Sequence, residues 1–453
     1  MREKIKIPDN VTNIMSHLIA HGYDAYIIGG AIRDYFLGII PHDWDLFTNC
    51  PDLVNEFPEG NVIGGEERQA KILTVIVDGI EVSQYRANGE RTEVGNDLET
   101  HLSTCDYNIN AMACDINGNI IDLHGGIFDL KHWTFEFVGD GNQRIKEDPL
   151  RILRGIRLIL KNRLHPSLET ETILEENGIK LYELPKERIR EEFLKLLKYE
   201  KCFDILKEFE LLKYIIPDIE KSYNMNGGDY HDETVFEHMN YSFKEACKIT
   251  DNVFFRLAAG LHDFGKISAI SRTVLIDPRT MRAIEDSKTH FYEHERIGAE
   301  KIEEWMREYK FAEKEIKYVV TLVRTHMWAW TETISKRSYI KHFKKFEDAD
   351  IDIMDFVTMT YCDNQGNMKN SRIKFADWVR DSPIHKKYYE LKHTNEPFSV
   401  KDLAVGGKDL IQLGFKPGPE MGKLLKKLFE KVMICEIKND KRELITFLKE
   451  FKE

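Results

Sequence analysis

The sequence predicts an α+β chain, with a mixed α/β head over about the first 140 residues and a mostly α-helical remainder. Three observations carry this. Strand-like apolar runs such as "DAYIIGG" and "KILTVIVDGIEVSQYR" crowd the early sequence. The apolar spacing turns helical at "EDPLRILRGIRLILK" and stays so. A chain of 453 residues exceeds what one hydrophobic core serves, so several compact units are expected.

Taken in order, residues 11–20 carry helical apolar spacing behind Asn10, read as the cap. "DAYIIGG" follows as a buried strand ending in a glycine turn, then "AIRDYFLG" as a helix and "DWDLF" as a second strand. "KILTVIVDGIEVSQYR" reads as two strands joined by a tight turn at Asp78 and Gly79. From "EDPLRILRGIRLILK" onward strands are hard to find until the end, so the remainder is expected to be mostly α. Glycine-bearing "NMNGGDYHDET" (224–234) marks one boundary, and "LKHTNEPFSVKDLAVGGKDL" marks another near residue 395. The tail "VGGKDLIQLGFKPGPEMGKLLKKLFEKVM" reads as two helices around a Gly-Pro-rich turn, where Gly414, Gly418 and Gly422 serve either helix-turn packing or approach to phosphate. Divisions are expected at 1–140, 141–220, 221–390 and 391–453.

Composition narrows the function classes. No apolar run is long enough to cross a bilayer, and the N-terminus lacks the pattern of a signal peptide, so a chain beginning here and no membrane partner are expected. Seven cysteines, scattered and never spaced C-x-x-C, fit reduced thiols in a cytoplasm. The formal charge of −12 excludes a uniformly basic surface but not local basic clusters. One such cluster runs through Arg144, Lys146, Arg151, Arg154, Arg157, Lys161 and Arg163, and another through Lys416, Lys423, Lys426, Lys427 and Lys431. Each fits either a solvated helix face or a track for nucleic acid.

The chemistry concentrates first in "YIIGGAIRDYFLGIIPHDWDLFTNC". Strand alternation points Asp43 and Asp45 to one face, where they repel unless a cation sits between them; hard dications such as Mg²⁺ take such oxygen ligands. The backbone of Gly29 and Gly30 is open to phosphate. Arg33 and Asp34 fit either a structural ion pair or a ligand contact. A D-x-D or a Gly-Gly alone is common and means little; their order and spacing here is much rarer.

"GGAIRDYFLG…HDWDLF", followed by "CDYNINAMA" (105–113), "DLHGG" (122–126), "EDPLRILRGIRL" (147–158) and "LPKERIREEF" (184–193), resembles the class II tRNA nucleotidyltransferase and bacterial poly(A) polymerase family of the DNA polymerase beta superfamily. The resemblance implies a polymerase-beta-like head, a helical neck that binds nucleotide and RNA, and Asp43 and Asp45 as catalytic metal ligands for Mg²⁺. It implies nucleotide contacts at Gly29, Gly30, Arg33, Asp106, Asn110, Arg154 and Arg157, with Asp106 at the sugar. Asp148 and Arg151 are expected to read the base from one helical face. Glu81 is a candidate third carboxylate. One departure stands out: Thr104 and Cys105 occupy positions where the family carries arginines, which removes charge near a triphosphate.

The second half holds "TVFEHMN", "LAAGLHDFGK", "HFYEHERIGAEKI", "VRTHMW" and "TYCDNQGN". The pair His262–Asp263 on an apolar helix is costly to bury without partners or a metal, and its ligand types suit Mn²⁺, Fe, Co²⁺ or Ni²⁺. The set resembles the HD phosphohydrolase superfamily. By that resemblance His238, His262, Asp263 and Asp363 hold one divalent transition metal, and His294 and His326 hold a second metal or a substrate phosphate. Phosphatase, 2′-nucleotidase or 2′,3′-cyclic phosphodiesterase chemistry is implied.

The expected function is CCA addition to the tRNA 3′ end from CTP and ATP, with phosphohydrolase activity in the HD domain and a helical tail module of the same nucleotidyltransferases. Poly(A) polymerase, partial CCA addition, and an HD phosphohydrolase whose head only binds RNA are the alternatives. A non-enzymatic RNA-binding protein fits less well with this set of carboxylates and histidines.

Overall fold

In the computed structural model the chain forms two compact units, Met1–Pro217 and Asp218–Glu453. The structure describes residues 4–65, 70–89, 93–276, 283–330, 334–393, 397, 400–433 and 436–450. Cys435 and the boundary expected near residue 395 lie outside the described residues.

The first unit is built on a sheet of β1 (Tyr26–Ile28), β2 (Leu46–Thr48), β3 (Asn61–Gly65), β4 (Ala70–Val77), β5 (Ile80–Gln84), β6 (Met112–Cys114) and β7 (Ile120–Asp122). The spatial order is β3-β4-β5-β2-β1-β6-β7; β2 and β5 run parallel and the other neighbours antiparallel. The β4–β5 hairpin turns at Asp78 and Gly79, with φ of 49° and 79°, as the Asp-Gly dipeptide requires. Helix Asp9–Ala20 buries Val11, Ile14, Met15 and Leu18; it starts behind Pro8, so Asn10 lies inside the first turn and is not the cap. Ile28, Tyr85, Leu102 and Ala113 form one buried cluster of the sheet.

At the start of the helical part, helix Gly141–Glu147 is separated from helix Arg151–Asn162 by Asp148, Pro149 and Leu150. Asp148 is extended, with φ −151° and ψ 98°. The proline ring disfavours a helical residue before it, so the expected shared helical face of Asp148 and Arg151 does not form.

In the second unit, helix Val235–Ile249 packs on Ile353–Gly366, and His294–Glu308 packs on Glu313–Thr325. The 3₁₀ turn Phe264–Ile267 presses against the start of His294–Glu308. That approach needs glycine, because a Cβ at Gly265 would overlap the His294 carbonyl.

Past the head the described residues are mostly helical, as expected, with strands at two places. Ile270–Ile276 and Ala283–Phe291 pair as an antiparallel hairpin, and Thr134–Phe135 and His165–Pro166 form a short parallel pair. Four β-branched residues in the seven of "ISRTVLI" favour a strand, but the run is short and sits between strong helices.

The tail follows its expected plan. Helices Gly407–Gln412 and Pro419–Met433 flank a turn in which Gly414 has φ 85° and Gly418 has φ 156°. A further helix, Lys441–Glu450, joins them around Leu403, Val405, Leu410, Leu428, Val432, Leu444 and Leu448. Among the described residues, no helix is long and apolar enough to cross a membrane.

Candidate functional site

In the first unit, the segment that leads into β2 alternates its side chains. Trp44, Leu46 and Thr48 are buried, while Asp43, Asp45 and Phe47 line a cleft of about 680 Å³. The strand itself starts at Leu46, so the two aspartates stand just before it, at its mouth. Glu81 precedes Val82, the partner of Leu46 on parallel β5, which brings it to the same end of the sheet as Asp45. Burial, then Glu81, then Asp43 push the Asp45 carboxyl up to about 6, while Arg86 opposes them. A carboxylate held this way is a poor isolated anion and a good ligand for a hard cation.

Gly29 ends β1 with φ 89°, a conformation open to glycine, and its N–H donates to Met112 O at 3.1 Å. Gly30 opens the helix Gly30–Phe36, which carries Arg33 and Asp34. Arg33 is 7% exposed; it donates to Asp34 at 2.8 Å and, through Nη1, to Asn110 Oδ1 at 2.7 Å. Asn110 Nδ2 in turn donates to Asp106 Oδ1 at 3.1 Å, and Arg154 Nη1 to Asp106 Oδ2 at 3.1 Å. Lys161 closes the other end on Asp34 at 3.3 Å. A polar chain Lys161–Asp34–Arg33–Asn110–Asp106–Arg154 therefore runs along the cleft. Burial pushes the Asp106 carboxyl up, but Arg154 and Asn110 outweigh it and hold it down to about 2.

The residues expected to read a base are not brought together. Asp148 accepts from Arg188 at 3.1 Å, whereas Arg151 pairs with Glu147 at 2.8 Å. Arg151 is 2% exposed and also donates to the carbonyls of Arg144, Gly89 and Thr104. Arg157 faces the cleft and donates to Glu192 at 2.9 Å. Sequence reasoning assigned no role to Phe47, Arg86 or His101, which also line the cleft; only the strand register and folding place them there.

In the second unit, His238 (helix Val235–Ile249), His262 and Asp263 (after Val253–Leu261), His294 (start of His294–Glu308), His326 (after Glu313–Thr325) and Asp363 (Ile353–Gly366) converge. All four imidazoles are at most 7% exposed. The Nδ1 atoms of His262, His294 and His326 meet the carbonyls of Ala259, Phe291 and Val323 at 2.9, 2.8 and 2.6 Å, and His238 Nδ1 lies 3.3 Å from Glu233. Nδ1–H donation to the three carbonyls leaves the Nε2 lone pairs of His262, His294 and His326 pointing inward, and His238 Nε2 faces the same centre. His238 and His262 Nε2 are 3.0 Å apart, and His294 and His326 Nε2 are 3.3 Å apart, so only a shared cation or proton relieves their repulsion.

Asp263 divides its two oxygens between the groups. Oδ2 faces His238 at 3.5 Å and His262 at 3.6 Å, and Oδ1 faces His294 at 3.2 Å and His326 at 3.7 Å. Asp363 Oδ1 joins the first group, 3.1 Å from His238 and 3.4 Å from His262. The donor set fits one or two transition-metal ions. Lys266, which contacts Asp263 Oδ2 at 2.7 Å, and Glu233 carried no role in the sequence reading, although "HDFGK" holds the lysine three residues from its aspartate.

Elsewhere in this unit, Lys341, Lys344 and Lys345 of helix Lys336–Asp348 face Lys426, Lys427 and Lys431 of Pro419–Met433 across a groove of about 690 Å³. Glu430 is the one carboxylate among the groove's lining residues.

Comparison with known proteins gives three family matches: a poly A polymerase head domain over residues 25–135, a probable RNA- and SrmB-binding site of polymerase A over 164–222, and a putative tRNA nucleotidyltransferase domain 2 over 289–448. The CCA-adding enzyme of Lactococcus lactis subsp. cremoris is 24% identical over 470 residues, covering 99% of this chain and 98% of the relative. Poly(A) polymerase I of Salmonella typhimurium is 29% identical over 246 residues, or 49% of this chain and 52% of that protein, so the match spans about half of its length. The fold is that of the Bacillus stearothermophilus CCA-adding enzyme solved with CTP (TM-score 0.65, 20% identity, 99% of this chain and 98% of that one). It is also that of the Thermotoga maritima CCA-adding enzyme solved with tRNA (TM-score 0.58, 18% identity, 100% and 97%).

The Asp106 contacts set a pH signature. Its carboxyl is lowered from 3.8 to about 2, so its stabilising contribution is full above pH 3.8 and is lost as pH falls through about 2. Urea unfolding should show Asp106→Asn less stable than the parent by about 2 kcal/mol at pH 6, with the gap closing between pH 4 and 2. A gap that is independent of pH would contradict the Arg154 and Asn110 account.

Proposed function

Because the chain belongs to the tRNA nucleotidyltransferase and poly(A) polymerase family, and is a nucleotidyltransferase, we propose that it builds the 3′-terminal CCA of tRNA from CTP and ATP. One observation carries this choice over poly(A) synthesis: the likeness to CCA-adding enzymes runs the length of both chains, whereas that to poly(A) polymerase I stops near half.

The family depends on divalent metal. In this reading Asp43 and Asp45, with Glu81 beside them, hold Mg²⁺; their all-oxygen donor set fits it, and the ion would supply Lewis-acid stabilisation of charge developing at the reacting phosphate. The remaining work falls to the chain. The RNA 3′-hydroxyl attacks the α-phosphate of the nucleotide, a new O3′–P bond forms, and the bond to the β-phosphate oxygen breaks to release pyrophosphate. Gly29 and Gly30 leave the backbone open beside the phosphates. Asp106, kept ionised by Arg154 and Asn110, accepts from a sugar hydroxyl. Arg33, Arg154 and Arg157 orient the nucleotide along the cleft.

Asp148 accepts from the exocyclic amine that cytosine and adenine share. Arg151 donates to a base only if it gives up one of its present bonds to Glu147 or a carbonyl. The basic groove lined by Lys341 and Lys427 suits the phosphate backbone of RNA, with affinity that falls as salt rises. The scattered cysteines and the substrate support a cytoplasmic setting.

The division of Asp263 between two histidine groups favours a second activity, metal-dependent phosphohydrolysis in the second unit. His238, His262, Asp263 and Asp363 would hold one transition metal, and His294 and His326 a second metal or the substrate phosphate. Such an ion would activate water for attack on phosphorus.

Incubation of tRNA lacking its CCA with labelled CTP and ATP, singly and together, tests the main reading at single-nucleotide resolution. Two C additions followed by one A and a stop are expected, and incorporation should fall at least about 10³-fold in Asp43→Ala. A long A ladder would overturn CCA addition in favour of poly(A) synthesis. For the second unit, elemental analysis should find Mn, Fe, Co or Ni with the parent and none with His262→Ala, which should also lose phosphomonoester turnover while retaining nucleotide incorporation. Unchanged turnover in His262→Ala would refute a hydrolytic site there.

A further inference from the structure

The cations lining the cleft of the first unit are nearly all spoken for. Arg33 is tied to Asp34 and Asn110, Arg154 to Asp106, Arg157 to Glu192, and Lys161 to Asp34. Arg151 is enclosed by Glu147 and three carbonyls. Arg86 differs. It follows β5, its backbone N–H donates to His101 Nδ1 at 3.0 Å, and its guanidinium lies 5.6 Å from the centre of the Phe47 ring. Among the described residues, no carboxylate pairs with that guanidinium, although it lines the same cleft as Asp45, Cys105 and Asp106.

A half-buried guanidinium without a counter-anion is costly, so a fold that keeps one in a cleft supplies a place for an anion. Burial pushes the Arg86 pKa down, as expected for a cation whose compensation is incomplete. Its surroundings also fix its direction. The Phe47 face holds the planar group by cation–π contact, and Phe47 shares the side-chain alternation that brings Asp43 and Asp45 into the cleft. The 104–105 turn opposite offers a hydroxyl and a thiol: Thr104 Oγ1 is spent on the His101 carbonyl at 2.7 Å, and neither residue brings positive charge.

We propose that Arg86 is a substrate-binding residue of the cleft, donating its guanidinium N–H groups to triphosphate oxygens of the incoming nucleotide and supplying the positive charge that Thr104 and Cys105 do not. The inference rests on the nucleotidyl-transfer reading above. It explains how a cleft lined by Asp34, Asp43, Asp45 and Asp106 receives a polyanion although its other arginines are already paired. A guanidinium suits the task better than an ammonium, because its fork meets two oxygens at once.

The test uses the full chain with Arg86→Met, which keeps an aliphatic stem against Phe47, and Arg86→Lys, which keeps the charge but not the fork. Incorporation into tRNA lacking its CCA is followed with KM for CTP, KM for tRNA and kcat determined separately. KM for CTP should rise about 10- to 100-fold in Arg86→Met and less in Arg86→Lys, while KM for tRNA stays within about twofold. Equilibrium binding gives a second readout: Arg86→Met should lose most of the preference for CTP over cytidine, which a general loosening of the fold would not remove selectively. Cys105→Arg placed in the Arg86→Met chain should recover part of the CTP affinity. A parent enzyme that incorporates nothing would overturn the nucleotidyl-transfer reading itself. An active parent with unchanged KM for CTP and an unchanged CTP-to-cytidine ratio in the Arg86 variants would overturn this assignment alone.

Discussion

The first unit depends on an interaction that is unfavourable by itself: Asp43 and Asp45 held at the mouth of β2, with Glu81 at the same end of β5. Nothing local compels the chain to crowd carboxylates there. Trp44, Leu46 and Thr48 do so indirectly, because burying them turns the alternate side chains into the cleft. Parallel pairing of β2 with β5 then fixes Glu81 beside Asp45. The hydrophobic register of the strand thus sustains an electrostatic arrangement that water and repulsion would otherwise disperse. The cations of the cleft do not pair with these carboxylates, since Arg33 and Lys161 are held on Asp34, Arg154 on Asp106 and Arg157 on Glu192. The crowded carboxylates are a demand for dications, and Arg86 is the guanidinium, unpaired with any carboxylate among the described residues, that a triphosphate meets.

The second unit solves a related problem with softer groups. Its imidazoles are neutral ligands only if their protons sit on Nδ1, and in His262, His294 and His326 backbone carbonyls accept them there. Helix ends do the aiming: His262, His294 and His326 each stand at a helix terminus, where a carbonyl three residues earlier is within reach of Nδ1. Gly265 permits the close approach that brings Asp263 and His294 within 3.2 Å. The oxygen-only set of the first unit and the mixed nitrogen and oxygen set of the second favour different metals, so one chain can carry both without competition.

Much of this was legible in the sequence because it is local. The Asp78–Gly79 turn, the glycine exit of β1 and the two tail helices follow from residues within a few positions of one another. Order and spacing of motifs carried the family. What escaped was set by neighbours along or across the fold. Pro149 breaks the helix that would have paired Asp148 with Arg151, a local rule outweighed in the reading by helical spacing on either side. The pairing of Ile270–Ile276 with Ala283–Phe291 was hidden by the helices around it. Arg86 acquires meaning only from Phe47 and His101, and Glu233 in part from Met368, partners well separated in sequence.

Thermal unfolding of the chain carrying both Asp43→Asn and Asp45→Asn, with and without Mg²⁺, tests most directly whether the cleft is built as a cation demand. The account predicts that without Mg²⁺ the variant melts at a higher temperature than the parent, since repulsion is relieved, and that Mg²⁺ raises the parent's melting temperature but not the variant's. A variant that melts below the parent without Mg²⁺, or that Mg²⁺ stabilises as strongly as the parent, would contradict it.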